Sequence, residues 1–413
     1  MKNKFLQEMQ DKGFLNQCTD LDKLGEICNK KSISGYIGFD CTANSLHVGS
    51  LLQIMILKLM QKYGHQPIVL LGGGTTLIGD PSGKDTTRKI LEQSEIKKNI
   101  KSIKKVFNKI LDTSDKNTSP VFVDNADWLT KLNYIQFLRD TGSHFTINKM
   151  LTFDSVKLRL EREQSLSFLE FNYMIFQAYD FMKLYEAHKC LLQIGGSDQW
   201  GNIVNGVELI RRSKSKEAYG LTTPLITTSS GSKMGKTEKG AIWLDKSLLS
   251  PFDYWQFWRN TDDNDVINYL KLFTEISDTE ITKLSLLDGS NINEAKIILA
   301  NAATEMLHGK KEAEKAYKTS QKTFNEKSFD KNLPTLEIKK DHFVKGVSLK
   351  ETLIKIGFAT SNSDYKRNFK NLAYKINNSV VKNENEIIST NNLNENIVKI
   401  SFGKKKHYLI KII

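Results

Sequence analysis

Apolar residues in this chain fall into runs of two lengths. The short ones, SGYIGFD (Ser34 to Asp40), PIVLLGGG (Pro67 to Gly74), VFVDN (Val121 to Asn125) and CLLQIGG (Cys190 to Gly196), have the length of strands covered on both faces. Between them lie longer stretches with apolar residues at helical spacing, among them LHVGSLLQIMILKLM (46–60) and SFLEFNYMIFQAYDFMKLYEAH (167–188). The alternation predicts an α/β fold around a parallel sheet, and in such sheets ligands sit beyond the carboxyl ends of the strands. Each short run ends in Gly, Asp or Asn, so small residues and carboxylates gather where a ligand would lie.

The same pattern divides the chain. The α/β region covers 1–224 and is interrupted by a helical insertion at about 128–188; a loop and connector at 225–250 contains TSSGSKMGKTEKG. A helical stretch follows at 251–325, then a polar linker at 326–337 (most of it in NEKSFDKNLPT, 325–335) and a terminal module at 338–413. At 413 residues the chain exceeds what one core can organise. Charge sharpens the division, because 60 basic against 47 acidic residues leave +13, and 338–413 alone holds 15 basic against 6 acidic, a net +9. A basic module on a nearly neutral body predicts a polyanionic partner. Cys18, Cys28, Cys41 and Cys190 form no CxxC pair, which speaks against a zinc cluster or a disulfide framework and for a reducing compartment. The opening MKNKFLQEMQDKGFL reads as an amphipathic helix, and no apolar run approaches the ~18 residues of a membrane span. The expectation is a cytoplasmic protein without a membrane partner.

Candidate chemistry begins at the mouth of the 46–60 helix, where His47 and Gly49 stand. A helix start offers unpaired N–H groups and partial positive charge to an anion; glycine lets a phosphate approach, and an imidazole donates to phosphate oxygens. A second element is KMGKT (233–237), whose Lys233 and Lys236 can neutralise charge on a leaving pyrophosphate. Each alone is more often a surface cap or a solvated turn; together they suggest a triphosphate site. LLGGGTTLIGDPSGK fits neither a Walker A loop, because Asp85 follows Gly83-Lys84, nor a dinucleotide fingerprint, because Leu77 stands where Gly is needed. What it leaves is a glycine-ended strand followed by Asp80, Lys84 and Arg88. Finally, Tyr173, Gln177 and Asp180, at i, i+4 and i+7, make a polar stripe on an apolar helix. Such groups are costly to bury unless they meet a polar ligand.

With these residues assembled, the chain resembles a bacterial-type tyrosyl-tRNA synthetase, a class I aminoacyl-tRNA synthetase. The matching stretches are YIGFDCTANSLHVGSL, GGGTTLIGDPSGK, FNYMIFQAYDF, LQIGGSDQWGNI and KMGKTEKGAIWLD, spanning essentially residues 30 to 260. The resemblance implies a Rossmann-like catalytic domain with the helical insertion, an α-helical anticodon-side domain and a small α+β RNA-binding C-terminal domain. It implies that L-tyrosine and ATP, with Mg2+, give tyrosyl-adenylate and pyrophosphate, and that tyrosine then passes to the 3′ end of tRNA(Tyr). Tyr36 and Asp180 would bind the phenolic hydroxyl, Asp80, Tyr173 and Gln177 the ammonium group, and Gln199 the carboxylate region. Gly38, Asp40, Gly49, Ser50 and Asp198 would line the adenylate. Thr42 and His47 would meet the phosphates, and Lys84, Arg88, Lys233 and Lys236 the departing pyrophosphate. No resident metal ligand is implied.

Two signatures depart from the family's pattern: His-Ile-Gly-His is HVGS (47–50), and Lys-Met-Ser-Lys-Ser is KMGKT with Gly235 for serine. The tail from Gly346 to Val381 is similar to an RNA-binding domain of a ribosomal small-subunit protein, which would put RNA contacts at Lys366, Arg367 and Lys370. The family's homodimer forms through the insertion, where Phe137, Phe145 and Phe153 could serve that contact or a monomer core. The rival readings are a tryptophanyl-tRNA synthetase, a nucleotidyltransferase unrelated to tRNA, and a non-catalytic RNA-binding protein on a synthetase scaffold.

Overall fold

The computed structural model describes residues 3–79, 91–229, 231, 234–237, 240–325, 333–343, 346–393, 396–403 and 406–413. The chain forms two compact units. The first comprises Met1–Lys236, Ala241–Asp245 and Thr261–Ala295; the second comprises Thr237–Gly240, Lys246–Asn260 and Lys296–Ile413.

The first unit is built on a six-stranded sheet: β1 (Gln17–Cys18), β2 (Ser34–Asp40), β3 (Gln66–Gly72), β4 (Val121–Asp124), β5 (Cys190–Gly196) and β6 (Tyr219–Thr223), in the order β1-β6-β5-β2-β3-β4. The four apolar runs of the sequence are its central and edge strands β2 to β5, and every pair among β2 to β6 is parallel. One correction to a purely parallel sheet is needed: β1 pairs antiparallel with β6, Gln17 opposite Thr222. Both strands lack an apolar run, and β6 (YGLTT) is buried throughout despite two threonines. From β2 the chain moves one way to β3 and β4, and β5 and β6 lie on the other side. The switch point, where a crevice opens at the strand ends, therefore falls between β2 and β5.

Helices cover the sheet: α1 (Lys4–Asp11), α2 (Leu21–Lys30), α3 (Leu51–Lys62) and α4 (Gln93–Ile110), then α5 (Ala126–Leu129), α6 (Tyr134–Asp140), α7 (Ile147–Met150), α8 (Asp154–Glu161) and α9 (Phe168–His188) of the insertion, and α10 (Trp200–Lys214). Helix α3 is apolar nearly all round, with Leu51, Ile54, Ile56, Leu57 and Met60 sealed from solvent. Helix α9 starts at a capping box, in which Ser167 accepts from the Glu170 N–H while the Glu170 carboxylate accepts from the Ser167 N–H. It ends at Lys189 in the left-handed conformation (φ 53°). Phe137 is not on the surface: it is 8% exposed and stacks on Phe176 at 5.5 Å, while Phe145 and Phe153 pack partly buried against the same cluster.

In the second unit Trp255 and Trp258, on the helix Pro251–Arg259, are fully buried, and Trp255 Nε1 donates to Asn301 Oδ1 (2.8 Å). The C-terminal part is α+β: a five-stranded sheet in the order Ser379–Val380, Tyr374–Ile376, Ile397–Phe402, Lys406–Ile412, Thr335–Ile338 packs over a core including Leu349, Leu353, Tyr365 and Ile410. Among the described residues no helix is long and apolar enough to cross a membrane.

Candidate active site

A cavity of about 410 Å3 opens at the carboxyl ends of β2, β3 and β5, at the switch point of the sheet. Strand β2 contributes Tyr36, Gly38 and Asp40, and the turn after it Thr42. The start of α3 contributes His47, Gly49 and Ser50. Helix α9 contributes Tyr173, Gln177 and Asp180, and the turn after β5 contributes Asp198 and Gln199. The structure thus gathers these residues into one chamber. Asp80, Lys84, Arg88 and Lys233 lie outside the described residues. For Lys236 only its place in the strand Lys236–Thr237 is described.

At one end of the chamber Asp180 is 1% exposed. Its Oδ2 accepts from Asn125 Nδ2 (2.8 Å) and its Oδ1 from Trp128 Nε1 (2.7 Å). Asn125 is itself fixed, because its Oδ1 accepts from the Gly74 N–H (2.8 Å) and its Nδ2 also reaches Thr75 Oγ1 (3.0 Å). Burial pushes the Asp180 carboxyl up to about 7, against the two donors, which pull it down; the charge of Asp124 adds a smaller upward push. Tyr36 is 1% exposed, its hydroxyl has no hydrogen-bond partner among the described residues, and burial followed by the nearby Asp180 charge holds its phenol well above the ordinary range. A carboxylate with acceptor capacity remaining and a neutral hydroxyl therefore share a dry corner. A ligand hydroxyl can donate to the first and accept from the second. Phe181 walls the corner, its ring 5.3 Å from that of Tyr36.

Next along the chamber runs a chain of amides. Asn202 Nδ2 donates to Gln177 Oε1 (2.9 Å) and, more weakly, to Gln199 Oε1 (3.2 Å), so both glutamines are oriented before any ligand arrives. Gln193, on β5, also lines the cavity with its Oε1 buried and without a partner among the described residues. Glycine at 196 makes room for Asp198, whose Oδ1 would lie 2.6 Å from a Cβ there.

At the other end His47 caps the short 3-10 turn Val48–Ser50 that leads into α3, and its Nδ1 accepts from the Gly49 N–H (3.0 Å). The acceptor role of Nδ1 puts the proton of the neutral ring on Nε2, where it can be donated to an anion. Ser50, which stands where the family has a second histidine, makes no capping bond with its side chain. Gly49 also has a packing role that its sequence does not reveal. A Cβ there would lie 2.7 Å from His47 Cε1 and 3.0 Å from the Met234 carbonyl oxygen, so the missing side chain makes room for the imidazole and for the KMGKT segment. Gly235, at φ +97°, answers it: a Cβ there would stand 2.8 Å from the Gly49 nitrogen. The chain after the loop is stitched to the same place, with the Val48 N–H on the Ile242 carbonyl (2.8 Å) and the Leu244 N–H on the Leu46 carbonyl (2.9 Å).

Comparison with known proteins bears on this geometry. A family model described as tRNA synthetases class I (W and Y) matches residues 28–325. A tyrosine–tRNA ligase of Pelagibacter ubique is 57% identical over 411 residues, covering 100% of both chains, and that of Bartonella quintana is 53% identical, covering 99% of both. The chain belongs to the class I tyrosyl-tRNA synthetases. Among solved synthetases, a C-terminally truncated mitochondrial tyrosyl-tRNA synthetase of Aspergillus nidulans superposes with a TM-score of 0.70 at 32% identity, over 78% of this chain and 95% of that one. A tryptophanyl-tRNA synthetase of Encephalitozoon cuniculi shares the fold (TM-score 0.56) at 12% identity.

Four residues at or behind the chamber wall, Asn125, Trp128, Gln193 and Asn202, were given no role from the sequence. Gln193 and Asn202 fall inside the matching stretch LQIGGSDQWGNI, Asn125 ends an apolar run, the position at which ligand-facing residues were expected, and Trp128 stands in no motif. On the basic C-terminal module the RNA contacts expected from the sequence lie on the helix Asn362–Lys370. There Lys366 pairs with Glu384 (3.3 Å), Arg367 pairs with Asp364 (2.7 Å), and Lys370 is exposed.

Proposed function

We propose that this chain is a tyrosine–tRNA ligase working by in-line attack. The observation that carries the proposal is the juxtaposition of the Tyr36 hydroxyl, without a partner among the described residues, and an Asp180 carboxylate held by Asn125 and Trp128. That corner suits a phenol and leaves its own polar groups unsatisfied when the ligand lacks one, a loss of about 1–3 kcal/mol per group. Tyr173 and Gln177, with Asp80, hold the ammonium group, Gln199 orients the carboxylate, and Gly38, Asp40 and Asp198 border the ribose. A carboxylate oxygen of tyrosine attacks the α-phosphorus of ATP, the bond from that phosphorus to the β-phosphate oxygen breaks, and pyrophosphate leaves with its electrons.

No general base is needed, because the attacking carboxylate is already ionised; catalysis is alignment plus stabilisation of charge on the phosphates. His47 donates from Nε2, Thr42 and Ser50 border the same space, and Lys84, Arg88, Lys233 and Lys236 meet the departing pyrophosphate. Mg2+ arrives with ATP on phosphate oxygens as part of the substrate. In the second step a hydroxyl of the 3′-terminal ribose of tRNA(Tyr) attacks the tyrosyl carbonyl and AMP departs. Residues 251–325 and the basic module at 338–413 engage the body of the tRNA, Lys366, Arg367 and Lys370 among them, and two copies of the chain associate through the insertion in the cytoplasm.

The test is ATP–pyrophosphate exchange with each amino acid in turn. Tyrosine alone is expected to drive it, and Lys233→Ala to depress the exchange rate far more than tyrosine affinity. Exchange driven by tryptophan would install the tryptophanyl reading, and none with any amino acid the non-catalytic one.

A further inference from the structure

Helix α4 carries its charge in an unusual way. Of its 18 residues six are lysines (Lys97, Lys98, Lys101, Lys104, Lys105 and Lys109) and one, Glu95, is acidic. At about 100° per residue, Lys97, Lys101, Lys105, Lys98 and Lys109 fall within an arc of about 120° that contains no carboxylate. All five are exposed, and the opposite side of the helix buries Ile100, Ile103 and Phe107. Lys104, at the edge of the arc, is different: it leans over the Phe122 ring (5.6 Å) and its charge acts on Asp124.

Several lysines elsewhere on the first unit are matched, as in Lys30 with Glu26, Lys62 with Glu8 and Lys157 with Glu161. Among the described residues none of the five on α4 has an ion-pair partner. Lys97, Lys101, Lys105 and Lys109 follow one another at i, i+4 spacing, and like charges so placed destabilise a helix. The arrangement is unfavourable for the helix alone and favourable against a polyanion. Its steps rise about 6 Å each, close to the separation of successive phosphates along one nucleic-acid strand.

We infer that the exposed lysine face of α4 binds the sugar–phosphate backbone of the tRNA on its way to the active site. Two further observations place the helix that carries the face beside the active-site cavity. Helix α4 forms the crossover from β3 to β4, so its first turn starts at the end of the sheet where the cavity opens. It is also tied to the rim: Asn99 Nδ2 donates to the carbonyl of Cys41 (2.9 Å), between Asp40 and Thr42 of the cavity wall. Backbone contacts of this kind position an RNA without reading its sequence.

The inference rests on the reading that the chain charges a tRNA, and the experiment separates the two. In the full-length protein, K97E/K101E/K105E is expected to keep tyrosine-dependent pyrophosphate exchange at the parent rate while the KM for tRNA in aminoacylation rises by about tenfold or more at ~0.1 M salt. The milder K97Q/K101Q/K105Q guards against a folding defect; its plot of log kcat/KM for tRNA against log salt concentration should be shallower by about 2 to 3 than the parent's. An unchanged KM for the first variant together with an unchanged slope for the second overturns the inference, whatever else the face attracts. Absence of exchange in the parent protein would instead overturn the synthetase reading.

Discussion

Asp180 shows how much one carboxylate depends on its neighbours. Burial drives it toward the neutral form, and the N–H groups of Asn125 and Trp128 drive it back, leaving it near 7. Only the ionised form accepts from both donors and from a ligand hydroxyl, so activity should follow the carboxylate. In the free enzyme kcat/KM for tyrosine in the exchange reaction is expected to be low below about pH 7 and to rise through it. Removing a donor removes a downward influence. Asn125→Ala and Trp128→Phe should each move this limb to higher pH by about one unit, the size of one hydrogen bond to a charged group. A limb that stays in place or moves to lower pH would mean that these donors do not set the charge of Asp180. The sequence made Asp180 visible because an acid on an apolar helix demands an explanation. It hid Asn125, whose partner is 55 positions away, since no local pattern records a contact closed only by the fold.

Among the elements, α9 carries three site residues and depends on its own first turn. Glu170 both completes the capping box with Ser167 and pairs with Arg159 Nη1 (3.0 Å), with the two side chains each 7% exposed. Burial would raise the Glu170 carboxyl, but the Ser167 N–H and hydroxyl and the Arg159 guanidinium bring it below its ordinary value. Glu170→Ala should cost about 3–5 kcal/mol, mostly by leaving Arg159 buried without its partner, and Glu170→Gln, which keeps a capping acceptor, should cost less. Urea denaturation measures both, and a loss under about 1 kcal/mol for Glu170→Ala would show that the turn stands without the pair. The folded-state pKa being depressed, this stabilisation is present above the ordinary carboxylate range and fades as pH falls below about 4. The helix itself was legible from its 22-residue apolar stretch, as were β2 to β5. Strands β1 and β6 were not: two residues, and a run ending in threonines, have no period to read, and their pairing with each other is set by register alone.

On the scale of the whole molecule, the insertion leaves its aromatic core inside and other apolar residues outside. Ile135 (71% exposed), Ile147 (64%) and Phe168 (71%) replace Phe137, Phe145 and Phe153 as the groups available to a second copy. Exposed apolar side chains of this kind are what the proposed dimer would cover. Ile135→Glu combined with Phe168→Glu is expected to yield monomers in sedimentation-velocity runs at micromolar protein; a pair of variants that sediments like the parent would place the contact elsewhere. The division of the aromatics was beyond the sequence, because period tells which face is apolar but not how many layers cover it.

The abutment of Gly235 on Gly49 bears on engineering. The lysine loop and the histidine turn are interlocking pieces, and a serine transplanted to position 235 by itself would run into main chain that no rotamer can move aside. A graft from a homologue would therefore have to bring both pieces together.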